Sequence, residues 1–334
     1  MLKNLYLHQA NVIRITRKSL VCAAMLGLSS TVFLTGCATG QNDTLHDTTH
    51  DTTHDTTQVP IHASAGHNEF SSDIVNVVYS TTDLHDAVVQ ANTLDAQTTL
   101  VVFDIDDTLL TATEFFGSDK WYDWQRGRAL NERGAVIPTG DAEKVNCLFD
   151  TLGMVFEIAT NKPSQPNMAN LVHSVNNDVV ILTARSGAYR AATMRELARN
   201  DLDFTDKSLT SPDVGLHYDV TLNGRTATVS YVDGVFMVQG MNKGVMLLDL
   251  LERTGREYSS VVFVDDKQHN IDNMADALKS AGINFYGYHY TRISKTVTPE
   301  EVAQANAARI ALGELLNTHF EDRAEHINHR QCDY

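Results

Sequence analysis

The sequence predicts an α/β fold, a three-layer arrangement in which helices cover both faces of a doubly wound parallel sheet. Three short apolar runs rich in Val and Phe, at 99–104, 179–183 and 261–266, are typical of buried parallel strands. Segments with helical spacing of apolar residues alternate with them. Such alternation predicts parallel strands joined by helices, and the carboxyl ends of those strands form the ligand-binding edge.

Residues 1–36 are predicted to be a lipoprotein signal peptide. Four basic residues precede the apolar stretch Ser19–Leu34, which is shorter than the roughly 20 residues of a membrane span. The stretch ends in Leu34-Thr35-Gly36-Cys37, which resembles a bacterial lipoprotein box and implies cleavage before Cys37 and lipid attachment there. Ala38 follows, and the absence of Asp at that position favours the outer membrane, facing the periplasm. The alternative is an uncleaved membrane anchor.

Residues 37–69 are polar and poor in large apolar groups, so they are predicted to form a flexible tether. The sequence His-Asp-Thr-Thr occurs three times in tandem, starting at His46, His50 and His54. Three histidines at this spacing could bind Zn²⁺ or Ni²⁺ weakly; the other interpretation is a plain solvated linker.

Residues 70–334 are enough for one α/β domain with an insertion. The formal net charge of −16 argues against a nucleic-acid surface and against electrostatic docking on anionic lipid. Any anionic substrate must therefore be attracted by a metal and a few placed cations. Beyond the signal and Cys37, the cysteines are Cys147 and Cys332. An exported compartment permits a disulfide between them, but sequence alone does not place them within bonding distance.

Apolar spacing and turn residues predict the individual elements. An Asp-Gly pair at 233–234 favours a tight hairpin turn. Thr298, Pro299 and Glu301 match the N-cap, first turn and capping-box acid of a last helix. In order, we expect a helix at 72–92, a strand at 99–104, an aromatic region at 115–124, helices at 140–154 and 165–176, a strand at 179–183, a helix at 188–199, a hairpin at 229–232 and 235–238, a helix at 242–253, a strand at 261–266, a helix at 271–281, a strand at 283–287 and the helix after Thr298.

The first apolar strand ends in Asp104-Ile105-Asp106-Asp107-Thr108. Asp104 and Asp106 are two residues apart, so on an extended backbone they share a face. Two carboxylates so close need a cation, and Mg²⁺ is the natural choice because it is a hard ion that often works with phosphate. The alternative is an acidic turn that ends the strand.

The Asp-x-Asp-x-Thr pattern after a hydrophobic strand resembles the first motif of the haloacid-dehalogenase (HAD) superfamily of phosphotransferases. Thr183, Lys243 and the pair Asp265-Asp266 follow in the order of the other three motifs, so the resemblance covers roughly 98–290. It implies a Rossmann-like core with a small, mainly helical cap inserted at about 111–177.

The resemblance also implies roles. Asp104 would be the nucleophile that forms an aspartyl-phosphate, and Asp106 the general acid–base. Thr183 and Lys243 would bind the phosphate. Mg²⁺ would contact Asp104, the backbone carbonyl of Asp106 and Asp266, with Asp265 as the second choice. Asn270 stands where the family often has its last Asp, and because it lacks the charge we expect weaker metal affinity but not its loss.

Caps in this superfamily choose substrates. Trp121, Tyr122 and Trp124 could line an aromatic wall for a nucleoside or aryl group, and the alternative is packing in the core of the cap. Arg185 could bind phosphate or a cap acid, and the alternative is a surface salt bridge.

The expected function is that of a lipid-anchored, exported, Mg²⁺-dependent acid phosphatase of HAD type, acting on a small phosphorylated substrate. The first motif looks very like that of exported bacterial acid phosphatases. Residues 117–121 and 239–244 are instead similar to a HAD-like bacterial family of unknown function. A non-catalytic binding or assembly lipoprotein is the main alternative, and a phosphotransferase that passes phosphate to another alcohol is a third hypothesis.

Overall fold

A computed structural model of the protein describes residues 74–212 and 214–334. The predicted signal peptide, the lipidation site Cys37 and the tether at 37–69 lie outside the described residues. In the part that is described, the strands are β1 (Asn76–Thr81), β2 (Thr99–Phe103), β3 (Leu110–Ala112), β4 (Asn161–Pro163), β5 (Asp178–Thr183), β6 (Leu216–Leu222), β7 (Arg225–Val232), β8 (Val235–Met237), β9 (Ser260–Asp265) and β10 (Asn284–Tyr290).

The helices over the same residues include two single turns of 3₁₀ helix, at Gly187–Tyr189 and Thr205–Lys207. The α-helices are α1 (His85–Thr93), α2 (Asp119–Gln125), α3 (Leu148–Ile158), α4 (Met168–His173), α5 (Arg190–Arg199), α6 (Lys243–Thr254), α7 (Gln268–Ser280), α8 (Pro299–His319) and α9 (Glu321–Asn328).

In the described residues, eight strands form one sheet in the order β1-β10-β9-β2-β5-β8-β7-β6. The first six are mutually parallel, and the β6–β7–β8 edge is antiparallel. The predicted α/β class with a mostly parallel central sheet is therefore confirmed. The hairpin around Asp233-Gly234 is confirmed as the β7–β8 pair.

The central strand β2 shows why the sheet has helices on both faces. Val101 and Phe103 belong to a core cluster with α1, α4 and α5, whereas Leu100 and Val102 belong to a cluster with α6 and α7. Successive side chains of a strand point to opposite faces, so a continuous apolar run buries both. Each face contributes one layer of the hydrophobic core.

The insertion, which we define as residues 111–177 between β2 and β5, has a small core of its own up to α3, whereas its last helix, α4, packs in the core beneath the sheet. Trp121 and Trp124 are fully buried in the small core, and Val297 and Ala305 from the α8 region join them. An ion pair from Lys120 to Glu301 (2.5 Å) links α2 to the start of α8. Helix α8 therefore packs on the insertion.

The helix predicted at 72–92 is wrong in its first half. Residues 76–81 form the edge strand β1, and the helix begins only at His85. The segment Asn-Val-Val-Tyr-Ser-Thr is rich in β-branched and aromatic residues, which favour strands. Its backbone pairs in parallel with β10, and Val78 is left exposed rather than on a buried helical face.

Two further differences concern element boundaries. The helix predicted at 140–154 begins only at Leu148, because residues 140–147 form turns. Strand β6 was not predicted, although Leu216, Tyr218, Val220 and Leu222 alternate with polar residues before an Asn223-Gly224 turn. That pattern is a strong hairpin signal.

The capping box predicted for the last helix is confirmed: Thr298 accepts a hydrogen bond from the Glu301 amide, and Glu301 accepts one from the Thr298 amide. Among the described residues, no helix combines the length and hydrophobicity needed to cross a membrane.

Candidate functional site

Asp104 and Lys243 meet at the carboxyl edge of the sheet. β2 ends at Phe103, and the Asp104 amide still donates a hydrogen bond to Val264 of the neighbouring strand (3.0 Å). Helix α6 begins at Lys243, with Asn242 as its N-cap. Gly244 allows α6 to lie close to α7, because a Cβ there would meet the carbonyl oxygen of Asn273 at 2.4 Å. This packing aims Lys243 at the ends of β2 and β9.

The Lys243 ammonium group lies between two buried carboxylates. Its Nζ donates to Asp104 Oδ1 and to Asp265 Oδ2, each at 2.6 Å. Burial raises the pKa of Asp104 to about 7, against the opposing effect of Lys243. Burial opposes the charge on Lys243, but Asp104 and Asp265 outweigh it and raise the pKa of the lysine. The lysine is therefore a permanent cation in this site.

Arg185 holds Asp106 in a two-point ion pair. Its Nε donates to Asp106 Oδ2 (2.9 Å) and its Nη2 to Asp106 Oδ1 (2.7 Å). The guanidinium is buried and also donates a hydrogen bond to Thr193 Oγ1 at 3.0 Å. Its central carbon lies 4.3 Å from the centre of the Phe156 ring. A bidentate pair orients a carboxylate more strictly than a single contact. The structure shows neither the predicted contact with a cap acid nor the alternative surface salt bridge, because Arg185 is buried and its partner Asp106 lies in the loop after β2, outside the cap.

Thr183 is buried at the end of β5, and its hydroxyl accepts a hydrogen bond from the Arg185 amide at 3.2 Å. The Ala184 and Arg185 carbonyls in turn accept hydrogen bonds from the amides of Gly240 and Gln239. The loop after β5 is thus tied to the loop that precedes Lys243.

Asp265 and Asn270 are partners in the structure. Asn270 donates to both carboxylate oxygens of Asp265 (3.0 and 3.1 Å), and the Lys267 amide donates to Oδ1 at 2.8 Å. With Lys243 added, Asp265 is fully engaged by protein donors. Asn270 therefore orients Asp265, which is the carboxylate that Lys243 also contacts.

Asp266 faces a different cation. Lys295 forms ion pairs with Asp266, with Asp107 and, at 2.8 Å, with Asp119 at the start of α2. Asp119 also pairs with Lys267 at 2.7 Å. Burial raises the pKa of Asp266 well above its ordinary value, and Lys295 opposes this. The network joins the insertion to the sheet edge.

Three carboxylates at this edge could hold a divalent cation. Carboxylate oxygens of Asp104, Asp265 and Asp266 lie within 4.8 Å of one another. Asp266 Oδ2 is buried, and its partner among the described residues is the ammonium group of Lys295. Both oxygens of Asp265 accept hydrogen bonds from protein donors, whereas Lys243 contacts only Oδ1 of Asp104. Asp104 and Asp266 are therefore the carboxylates that could hold Mg²⁺.

Two adjoining cavities open at this edge. One, of about 490 Å³, is lined by Asp104, Lys243 and Asp266. The other, of about 580 Å³, which we call the aromatic cavity, has five aromatic residues among the seventeen that line it and is backed by Arg185. Both are lined by five of the same residues: Asp106, Asp119, Tyr122, Ala184 and Gly240. Asp106 therefore stands between the acidic cavity and the aromatic one.

The aromatic residues predicted at 121–124 divide between two roles. Trp121 and Trp124 are fully buried in the core of the insertion, as in the packing alternative. Tyr122 is half-buried and lines both cavities. Consecutive residues on a helix point in different directions, which explains why one of the three reaches the cavities.

Cys147 and Cys332 are joined by a disulfide. The bond connects the start of α3 with the segment after α9. It answers the question that the sequence left open.

Sequence reasoning missed Lys295, Asp119 and Lys267 as members of the site. Lys295 lies 29 positions beyond Asp266 and in no motif, so only the fold brings it there. Asp107 and Lys267 adjoin predicted site residues, and that adjacency was the available signal.

Comparison with known proteins places the chain in a family. Over 197 residues it is 23% identical to a protein of Chlamydia trachomatis serovar D named "Putative outer membrane protein", an alignment that covers 57% of this chain and 68% of that one. Residues 78–322 match the family described as "Protein of unknown function (DUF2608)". Since the match spans most of the chain, the protein belongs to the DUF2608 family.

Proposed function

We propose that this protein is a Mg²⁺-dependent phosphomonoesterase of HAD type that is exported and anchored by lipid. The observation that carries the proposal is the buried Asp104–Lys243–Asp265 contact beside Asp106 at the carboxyl edge of a parallel sheet. A buried lysine between two carboxylates lowers the negative charge where an anionic phosphate must approach.

In the first step, a carboxylate oxygen of Asp104 attacks phosphorus, and the bond from phosphorus to the alcohol oxygen breaks. Asp106 gives its proton to the departing alcohol oxygen. Lys243 remains charged and faces the reacting carboxylate. The product of this step is an aspartyl-phosphate on Asp104 and a free alcohol.

In the second step, water attacks phosphorus and loses a proton to Asp106. The bond from phosphorus to Asp104 breaks, which releases inorganic phosphate and restores both aspartates. Arg185 is a positioning residue here, because it holds Asp106 through both carboxylate oxygens. The aspartate must exchange part of that pair for the proton that it carries to the alcohol.

Asp104 and Asp266 would hold the magnesium ion, with the backbone carbonyl of Asp106 as the third protein ligand that the HAD resemblance implies. When bound, Mg²⁺ supplies positive charge between the phosphate and the attacking carboxylate. Of residues 111–177, the part that precedes α4 would act as the cap over the site, because α4 packs against the sheet.

For location, we propose that Cys37 carries lipid and that the protein faces the periplasm from the outer membrane. The name of the chlamydial relative supports a membrane association of this kind. The segment at 37–69 would then separate the enzyme from the bilayer.

A non-catalytic binding or assembly lipoprotein is the second candidate. One observation favours it: Lys295 contacts Asp266 and Arg185 contacts Asp106, so two of the proposed working carboxylates already have protein cations. A protein that had lost turnover could keep such pairs as permanent cross-links.

The deciding experiment measures hydrolysis of p-nitrophenyl phosphate by the full chain, purified in detergent, with Mg²⁺ and with chelator. Asp104→Asn is tested in parallel, because it preserves the shape of the side chain but removes the nucleophile. The matched control is Asp276→Asn, an exposed aspartate on α7. We expect Mg²⁺-dependent turnover in the wild type and in Asp276→Asn, and none in Asp104→Asn.

The metal-loaded, folded wild type is also tested on a panel of sugar, nucleotide and lipid phosphate esters. If it hydrolyses neither p-nitrophenyl phosphate nor any of these esters, the result favours the binding lipoprotein. Equal turnover by wild type and Asp104→Asn would reject the proposed nucleophile.

A further inference from the structure

The cavity of about 580 Å³ is built from aromatic side chains that come from distant parts of the chain. Tyr122 is on α2, Phe149 is on α3, Tyr189 precedes α5 and Tyr334 follows α9. Phe149 and Tyr334 are each about half exposed, so their rings are accessible from the cavity. Its inner end is formed by Asp106 and Arg185.

Tyr189 is the fixed centre of this wall. Its hydroxyl donates a hydrogen bond to the backbone oxygen of Phe149 (2.7 Å), and its ring lies edge-to-face with Phe156, at 5.1 Å between centroids. The ring of Tyr334 lies against Tyr189 in the same way, at 5.9 Å. Tyr189 itself is only 5% exposed, so the rings of this wall that a further aromatic group can reach are those of the half-exposed Phe149 and Tyr334.

The segment that carries Tyr334 is attached to the N-terminal part of α3 at two points. The Cys147–Cys332 disulfide joins it to the start of α3. Buried Asp150, also on α3, accepts hydrogen bonds from the Asp333 amide (3.1 Å) and from Arg323 (2.7 Å). Tyr334 is therefore held beside the cavity by covalent and polar contacts close to it in the chain.

The charges at the cavity favour a neutral or anionic occupant. Asp106 is paired with Arg185, and Asp119 shares Lys267 and Lys295 with other carboxylates. Arg225 lines the cavity without an acidic partner among the described residues. The exposed Arg126 also lines the cavity. An aromatic cavity can bind quaternary ammonium groups through cation–π contacts, but the surplus positive charge here disfavours a cation.

We propose that this cavity receives the alcohol part of a phosphate monoester that carries an aromatic ring, and that Tyr334 is a specificity-determining residue. The proposal rests on the proposed phosphatase function. Asp106 lies between the acidic cavity and the aromatic one, so an ester with phosphorus near Asp104 places its bridging oxygen near Asp106 and its ring among Tyr122, Tyr189 and Tyr334.

The test compares kcat/KM for phenyl phosphate, glycerol 3-phosphate and phosphocholine, using the full chain with Mg²⁺. We expect phenyl phosphate to be preferred by about tenfold or more. Phenol is also a better leaving group than the two alkyl alcohols, so the aromatic wall is tested by the change of this preference in the variants. Tyr334→Ala should reduce that preference about fivefold, mainly through KM. Tyr334→Phe should retain it. Phe320→Ala is the matched control, because Phe320 and Tyr334 are equally exposed, at 55%.

Three outcomes would overturn the proposal while leaving the phosphatase function intact. They are equal turnover of the three esters, a preference for phosphocholine, and an unchanged preference for phenyl phosphate, measured as the kcat/KM ratio, in Tyr334→Ala. In the opposite case the aromatic site exists but the phosphatase function does not. Calorimetric titration of Asp104→Asn with phenyl phosphate tests for this case. If no ester is hydrolysed but phenyl phosphate binds and Tyr334→Ala weakens that binding, the aromatic site stands and the phosphatase function fails.

Discussion

Arg185 and Asp106 form a two-point ion pair, with contacts of 2.7 and 2.9 Å, at the boundary between the acidic and the aromatic cavity. The two residues come from different loops, one after β2 and the other after β5. Because both carboxylate oxygens are held, the pair sets the direction in which Asp106 faces the two cavities.

Replacing the Arg185 guanidinium, which contacts Asp106 through two nitrogens, by a side chain with one nitrogen should misplace Asp106. We expect Arg185→Lys to lower kcat by about tenfold to a hundredfold, because lysine keeps the charge but loses the two-point contact. The measurement is a pH profile of kcat alongside denaturant unfolding. Arg199→Lys, at an exposed position on α5, is the control. If Arg185→Lys has the same kcat and the same pH profile as wild type, the two-point contact has no positioning role.

Removing the cation between Asp104 and Asp265 should strongly destabilise the fold. Lys243→Met leaves two buried carboxylates without their shared partner, and we expect a loss of about 3–5 kcal/mol in the free energy of unfolding. Urea unfolding at neutral pH in chelator measures it. Lys279→Met, at an exposed position on α7, should change little. A loss below about 1 kcal/mol for Lys243→Met would contradict the ion-pair assignment.

Lys295 should compete with a divalent ion for Asp266. Lys295→Met removes a positive charge near the proposed metal donors, so we expect the Mg²⁺ Kd to fall by about fivefold, equivalent to roughly 1 kcal/mol. Calorimetric titration with Mg²⁺ measures this without turnover, and Lys144→Met at an exposed position is the control. Weaker Mg²⁺ binding would instead mean that Lys295 holds Asp266 in its binding position.

The raised pKa of Asp104 predicts a pH dependence of stability. Burial raises that pKa from 3.8 to about 7, so between these values the metal-free folded protein keeps a proton that the unfolded chain releases. The contribution of Asp104 is therefore present in acid and lost as pH rises through about 7, with a slope of up to about 1.4 kcal/mol per pH unit. Asp104→Asn cannot titrate, so subtracting its unfolding free energy from that of wild type isolates the slope. A flat difference between pH 4 and pH 7 would contradict the shift.

The disulfide should support both the fold and the aromatic cavity. Cys332→Ser opens a closed loop of 185 residues, and we expect a loss of about 2–5 kcal/mol in the free energy of unfolding. KM for phenyl phosphate should rise, since Tyr334 loses the nearby covalent link that holds its segment beside the cavity. A reducing agent should reproduce both effects in wild type and have no further effect on Cys332→Ser. Unchanged stability in both experiments would exclude a structural contribution of the bond.

Much of the sheet was predictable because β2, β5 and β9 are continuous apolar runs, and burial on both faces requires that pattern. The edge strand β1 was not. It is largely exposed, and its backbone pairing with β10 decides its conformation, so spacing of side chains misled the prediction. The Asn223-Gly224 hairpin was detectable but was overlooked.

The sequence by itself determined the α/β class, the capping box at Thr298 and the order of the acidic strand ends, because each depends on neighbours within a few residues. Only the tertiary structure decided that Arg185 holds Asp106, that Lys295 faces Asp266 and that Tyr334 lies beside Tyr189. These partners lie 29 to 145 positions apart along the chain. No local pattern encodes such pairs, because the packing of whole elements sets the distances between them.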